Sequence, residues 1–200
     1  MAYDVAVYLH LLSLFGLIGA ITTVVLSNFR LRAAGSFREA AQWARLIDQA
    51  SWVFPVAILG LVASGAYLTT ERWTWSTPWI VVSIAGLIVD TLQGPLIAGP
   101  RAKALRDALT VDAATGVLDS RVCRLANDRV LWVVLFANPG IVLAITWNMT
   151  VKPGTAEAVA AILVGYGLGA ATALLVTKPK RLQSAERLAR HHADHGEQAD

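Results

Sequence analysis

The chain has 200 residues, of which 56% are hydrophobic and 16% are charged, and its formal net charge is +3. Soluble domains carry about 25% charged residues, and the deficit here falls in long uncharged runs, which excludes an ordinary water-soluble domain. The basic residues are confined to a few loops, where membrane topology explains them without nucleic acid, and the lone Cys123 excludes an intrachain disulfide or a thiolate metal cluster.

Five segments are long and apolar enough to cross a bilayer, whose hydrocarbon core of about 30 Å requires roughly 20 helical residues. The predicted fold is an all-α polytopic membrane helix bundle with five transmembrane helices in residues 1–177. The predicted spans are residues 5–26, 51–70, 75–99, 130–151 and 158–177. The N-terminal sequence MAYD lacks the basic region and cleavage site of a signal peptide, so we expect the first span to remain as an anchor.

The distribution of basic residues predicts the orientation of the chain. Fifteen of the 17 Lys and Arg residues lie after the first span, after the third span, or in the C-terminal tail. By the positive-inside rule, the N-terminus is outside and the C-terminus is cytoplasmic. An odd number of spans also places the termini on opposite sides. We expect a multi-pass protein of a bacterial cytoplasmic (inner) membrane.

The first span has one ionisable side chain, His10, roughly 10 Å below the outer boundary. One interpretation is a neutral histidine, hydrogen-bonded to polar residues of similar depth such as Ser13 and Ser64. The other is axial ligation of haem b. The sixth ligand would then be Met149 or His10 of a second copy, unless the iron is five-coordinate.

Two inner connections, residues 36–50 and 100–129, are predicted to be cytoplasmic helical extensions of the spans. Ser36 and Glu39 have the spacing of a capping box, and Pro55 predicts a kink near the inner end of the second span. The stretch TVDAATG predicts a break in the second connection. The extensions either lie on the lipid headgroups or protrude to bind a partner.

The only formal charge within a span is Asp90, in the third span. Asn138 of the fourth span lies at a comparable depth, since the two residues are roughly 13 and 12 Å from the inner boundary. Pro139 leaves the Leu135 carbonyl without its helical donor. The sequence therefore predicts an intramembrane polar cluster of Asp90 and Asn138, with a protonated Asp90 as donor. Such a cluster either fixes helix register or binds a proton or cation.

Small residues recur along the spans, as expected where helices associate in lipid by close packing. In the fifth span they occur every four positions, at Ala161, Gly165, Gly169 and Ala173. That stripe is predicted to pack within the bundle or to serve a dimer or larger complex. The other candidate packing positions are Gly16 and Ala20, Gly60 and Ser64, and Gly86 and Gly94.

Residues 178–200 form a basic tail that we expect to be flexible and cytoplasmic. Its three histidines, His191, His192 and His195, are interpreted as solvated, because they lack fixed neighbours that would orient them toward a metal. The sequence has no phosphate-binding loop, no paired carboxylates and no nucleophile with a candidate base. We therefore predict no catalytic residues and no metal site.

Three motifs, YLHLLSLFGLIGA, SGAYL and WNMTVKPG, resemble a family of small bacterial integral membrane proteins of unknown function over about residues 5–155. That family is distantly similar to the copper-resistance D proteins and to the haem-dependent membrane protoporphyrinogen oxidases. The oxidase likeness implies that His10 matches a haem-binding histidine of the first span. The chain departs from those oxidases in having no lysine in a later span, and from the copper proteins in lacking outward-facing Met and His clusters.

The leading functional prediction is a non-catalytic accessory or scaffold subunit of a larger membrane assembly. Its partners would be the lipid bilayer and either other membrane subunits or a second copy. The alternative is a b-type haem-binding redox protein using His10, and a third hypothesis is a small proton-coupled carrier using Asp90.

Overall fold

The computed structural model describes the backbone of residues 1–115 and 120–177 and the side chains of residues 1–111 and 121–177. The tail and part of the predicted break near TVDAATG therefore lie outside the described residues. The α-helices found within them are α1 (Ala2–Ala33), α2 (Phe37–Ser51), α3 (Val53–Arg72), α4 (Pro78–Gln93), α5 (Gly99–Thr115), α6 (Ser120–Ala126), α7 (Arg129–Val151) and α8 (Thr155–Val176).

Five helical stretches are long and apolar enough to cross a membrane, and no strand occurs in the described part of the chain. This confirms the predicted all-α bundle with five transmembrane helices. Four of the stretches have 31 to 36 residues, more than the roughly 20 that a bilayer requires, so they extend beyond the hydrocarbon core. The orientation of the termini stays a prediction.

Helix α7 is the central helix of the bundle. It packs extensively along α8 and also contacts α4 and α1, while α1 pairs with α3 and α4 contacts α8. Half of the residues in the most apolar stretch of α7 are buried within the bundle, compared with 11% of those in α8. The α1–α3 pair and the α4–α8 pair are therefore both organised by contacts with α7.

The inner connections pack on one another and on the inner end of α1. Their shared hydrophobic cluster consists of Leu31, Ala40, Leu105, Ala108, Leu109, Val122 and Ala126. Because these apolar side chains are buried against each other, only the outer faces of the extensions are left to contact headgroups or a partner. Helices α2 and α3 are separated at Trp52, three residues before Pro55.

The start of α2 has the predicted cap. The Ser36 hydroxyl accepts a hydrogen bond from the Glu39 amide at 3.3 Å, and the Glu39 carboxylate accepts one from the Gly35 amide at 3.1 Å. The side chain of Glu39 thus reaches the residue before the N-cap, a small variation on the capping box.

Replacing Ser36 with alanine is expected to lower the free energy of unfolding by about 1 kcal/mol, because the first turn of α2 loses its side-chain acceptor. Thermal unfolding of the detergent-purified protein, followed by circular dichroism, measures this change. Ser51→Ala is the control, since the Ser51 hydroxyl only bonds back to the Ile47 carbonyl of its own helix. An equal loss in the two variants would contradict the capping role.

A π-helical turn, Gly94–Ala98, joins α4 to α5. Gly86 packs as predicted, because a Cβ atom there would lie 3.0 Å from Ile162 and 3.5 Å from Ile145. The prediction for Gly94 was wrong, since a Cβ atom at that position would meet nothing within 4 Å. The π-helical turn starts at Gly94, where the regular α4 helix ends.

Candidate functional sites within the membrane

Small residues set the register of the seam between α1 and α3. A Cβ atom on Gly16 would lie 4.0 Å from Ala57, and one on Gly60 would lie 3.2 Å from the Cβ of Ser13. The residue numbers rise along α1 as they fall along α3, so the two helices are antiparallel. Following the same register toward the start of α1 brings His10 level with Ser64, the first residue of SGAYL.

His10 is half-buried at this seam, and its Nδ1 lies 3.0 Å from the Ser64 hydroxyl. That hydroxyl donates its proton to the Gly60 carbonyl, so Nδ1 is the donor to Ser64. The hydrogen bond expected for a structural histidine is therefore present. The neutral imidazole in this arrangement has its free lone pair on Nε2.

Met149 lies at a similar height on α7. Leu17 of α1 and Val142 of α7 belong to one hydrophobic cluster. His10 precedes Leu17 by seven residues and Met149 follows Val142 by seven, which is about two turns, or ~10 Å, in each helix. As the first and fourth spans, α1 and α7 run in opposite directions, so both steps lead toward the end of the bundle where α1 begins. Met149 is half-buried.

A second polar region lies between α4 and α7. Asp90 and Gln93 are three residues apart on α4, which places them on one helix face, and they are 8% and 6% exposed. Gly86 packs against Ile145 of antiparallel α7. Seven residues further along each helix, Gln93 lies level with Asn138, so the register brings Asp90 and Asn138 to within about one turn of each other.

The polar atoms in this region lack partners. Asp90 Oδ1, Asn138 Oδ1 and both polar atoms of the Gln93 amide are buried without a hydrogen bond. The expected hydrogen bond from Asp90 to Asn138 is not formed in the described part of the chain. The sequence interpretation overlooked Gln93, although its spacing of three residues from Asp90 on an apolar helix was a usable signal.

The stripe of small residues in the fifth span packs within the chain. A Cβ atom on Gly165 would lie 3.0 Å from the carbonyl carbon of Gly140, and one on Gly169 would lie 2.7 Å from the carbonyl carbon of Phe136. Ala173 is fully buried. Gly165, Gly169 and Ala173 therefore pack within the bundle, which is one of the two roles predicted for the stripe.

The five spans and these buried polar residues define a polytopic α-helical integral membrane protein. Residues 4–153 match the family described as "Predicted integral membrane protein (DUF2269)", and the chain belongs to this family. The predicted resemblance to a membrane protein family of unknown function is thereby confirmed. No curated protein and no solved structure matches the chain significantly. The likeness to copper-resistance D proteins and protoporphyrinogen oxidases stays a prediction.

Proposed function

We propose that this protein binds b-type haem in the membrane, with His10 Nε2 as an axial ligand. The supporting observation is the hydrogen bond from His10 Nδ1 to Ser64, whose hydroxyl is itself bonded to the Gly60 carbonyl. Histidines that ligate a metal usually donate their other ring nitrogen to such a partner, which fixes the tautomer and the ring orientation.

Met149 would be the sixth ligand, on the basis of its height on α7. A haem with histidine and methionine ligands supplies one-electron transfer at a raised reduction potential. Within this proposal, Ser64 orients the imidazole, and Gly65 leaves room for it, since a Cβ atom there would lie 3.3 Å from His10 Cε1. The predicted resemblance to haem-dependent oxidases agrees with this role.

The purified protein is expected to show a Soret band that shifts on reduction, and His10→Ala is expected to abolish it. Ser64→Ala retains the ligand but frees the ring, so haem affinity should fall about 10- to 100-fold. Absorption spectra of oxidised and reduced protein in detergent, with haem titrated into the apoprotein, measure these effects.

The matched control replaces the three tail histidines with alanine, which should leave the Soret band unchanged. Met149→Leu should keep the haem but lose the six-coordinate spectrum. A colourless wild-type protein that fails to take up added haem would contradict the proposal.

An accessory role in a larger membrane assembly is the second candidate, and a groove on the outside of the α7–α8 pair favours it. The groove has a volume of about 680 Å³ and is lined almost wholly by apolar atoms, with small residues at its base. Gly165 and Gly169, which pack on α7, lie in its lining together with the exposed side chains of Leu143, Val164 and Leu168. Helices in lipid associate through such surfaces, so the occupant would be a helix of another subunit or of a second copy.

Photo-crosslinking in native membranes tests the accessory role. A crosslinker at Leu168, which is 65% exposed and lines the groove, should capture one partner stoichiometrically. A crosslinker at Leu59 of α3, 69% exposed, is the control and should capture only lipid. Equal capture at the two positions would contradict a partner at the groove.

We place the protein in a bacterial cytoplasmic membrane with its N-terminus outside. The positive-inside rule supports this placement, since only Arg72 and Lys152 lie near the predicted outer surface. The Arg72 guanidinium is 4.8 Å from the Tyr3 ring and the Lys152 ammonium is 4.8 Å from the Trp73 ring. Reporter fusions at the two termini measure the orientation.

A further inference from the structure

We infer that the inner halves of α4 and α7 form a binding site for a small monovalent cation of about the size of Na⁺, with Asp90, Gln93 and Asn138 as side-chain ligands. The starting observation is the group of buried polar atoms without partners on these three residues. In folded proteins such groups are nearly always bonded, so an unpartnered set indicates a site for water or an ion.

The charge of the site favours an ion. Asp90 is more than nine-tenths buried and forms no ion pair in the described part of the chain. Two basic side chains at this end are engaged elsewhere: Arg101 pairs with Asp128 at 3.3 Å, and Arg32 donates to the Val176 carbonyl at 3.2 Å. A carboxyl group in a dry interior takes up either a proton or a compensating positive charge, and a bound cation supplies the latter.

The side-chain ligands are oxygens, which hard cations prefer. Asp90, Gln93 and Asn138 each contribute a buried, unpartnered oxygen. Gln93 also has an unpartnered amide nitrogen. Because Gln93 and Asp90 are three residues apart on one helix, this N–H is within reach of the carboxylate and would orient it while the amide oxygen binds the ion.

The backbone supplies two further acceptors at this level. Pro95 and Pro139 carry no N–H, so the carbonyls of Thr91 and Leu135 lose the donors that an uninterrupted α-helix would give them. The adjoining π-helical turn is a feature that often occurs at functional sites. One carboxylate among neutral oxygens balances one positive charge, so a divalent ion would leave net charge in the membrane interior.

The test is the thermal unfolding midpoint of the detergent-purified protein in NaCl, LiCl, KCl or choline chloride at equal ionic strength. A ligand that binds only the folded state raises the midpoint as its concentration increases. We expect NaCl to raise the midpoint by a few degrees over choline chloride and the effect to saturate. Gln93→Leu should raise the half-saturating Na⁺ concentration about tenfold or more.

Asp90→Asn, which retains shape and volume, should remove the difference between NaCl and choline chloride. Ser83→Ala is the matched control, because Ser83 is another buried, unpartnered polar residue two turns away on α4; its response to Na⁺ should equal that of the wild type. If Asp90→Asn does not fold, the Na⁺ titrations of the wild type and of Gln93→Leu are sufficient to test the inference.

Identical midpoints in NaCl and choline chloride for the wild type would overturn the inference and indicate that these polar groups bind no cation. A wild-type response to Na⁺ in Asp90→Asn or in Gln93→Leu would also overturn it. The site does not include His10, so loss of the haem proposal would leave this result unaffected.

Discussion

Replacing Gly169 with alanine is expected to lower the free energy of unfolding by about 1–3 kcal/mol, the usual cost of overpacking a close contact. An added Cβ atom would lie 2.7 Å from the Phe136 carbonyl carbon and 2.8 Å from the Ala137 Cα. These atoms belong to the backbone of α7, so the clash cannot be relieved by turning a side chain. Helix α8 would have to move away from α7 along the whole small-residue stripe.

The same substitution at Gly167 provides a matched control on the same helix. A Cβ atom there would meet nothing within 4 Å, and alanine is favoured over glycine in a helix by about 1 kcal/mol. Gly167→Ala should therefore be neutral or stabilising. Thermal unfolding of both variants in one detergent compares them directly. Equal midpoints for the two variants would mean that α8 does not approach α7 this closely.

The spans could be predicted from the sequence because the bilayer imposes a simple length requirement on apolar helices. The runs that begin at Val5 and Val130 contain no charged residue over more than 20 positions, and each lies within one helix of the structure. The inner extensions could be anticipated less fully. Their periodicity predicted helices, but nothing in it indicated that Leu31, Leu105 and Val122 share one cluster.

The neighbours of His10 could be predicted only as a set of residues at similar depth. Choosing Ser64 from that set required the register of α1 against α3, which depends on the approach of Gly60 to Ser13. Close packing of this kind is a property of two surfaces together, and a single chain without pairing information does not specify it. The histidine itself was conspicuous because ionisable groups are rare in spans.

The polar region around Asp90 was predicted in part. A carboxyl in an apolar span is a strong signal, whereas the neutral amide of Gln93 is a weaker one and was overlooked. The error at Gly94 has a different origin. The prediction for Gly94 relied on the equal spacing of Gly86, Asp90 and Gly94 in a regular α-helix. The regular helix ends before Gly94, and Pro95 follows it in a π-helical turn. A proline at that point was the available signal, since it removes a helical hydrogen bond.

Replacing Trp132 with alanine is expected to cost about 3–5 kcal/mol of stability, as is typical for deleting a large buried aromatic side chain. Trp132 has no exposed surface, and its indole N–H donates to the Ala126 carbonyl at 2.9 Å. Its ring centroid lies 4.7 Å from that of Phe29, in an edge-on arrangement. The indole therefore joins α1, α6 and α7 at the inner end of the bundle.

The contacts of Arg32 predict a second effect of the Trp132→Ala substitution. Its guanidinium lies 5.4 Å from the centroid of the Trp132 ring while Nη1 donates to the Val176 carbonyl at the end of α8. Removing the ring takes away the surface that holds the guanidinium, so α8 should also become easier to unfold at its inner end. Hydrogen exchange at the last turn of α8 should therefore increase in Trp132→Ala.

Trp52→Ala is the control for this prediction, because Trp52 is 78% exposed and exposed substitutions usually change stability by less than about 0.5 kcal/mol. Circular dichroism is the suitable measurement, since removing a tryptophan alters intrinsic fluorescence. Trp132→Phe separates the two contributions, because it retains an aromatic ring and loses the indole N–H, and its cost should be intermediate. A loss in Trp132→Ala no greater than that in Trp52→Ala would show that the inner end is held by contacts other than this side chain.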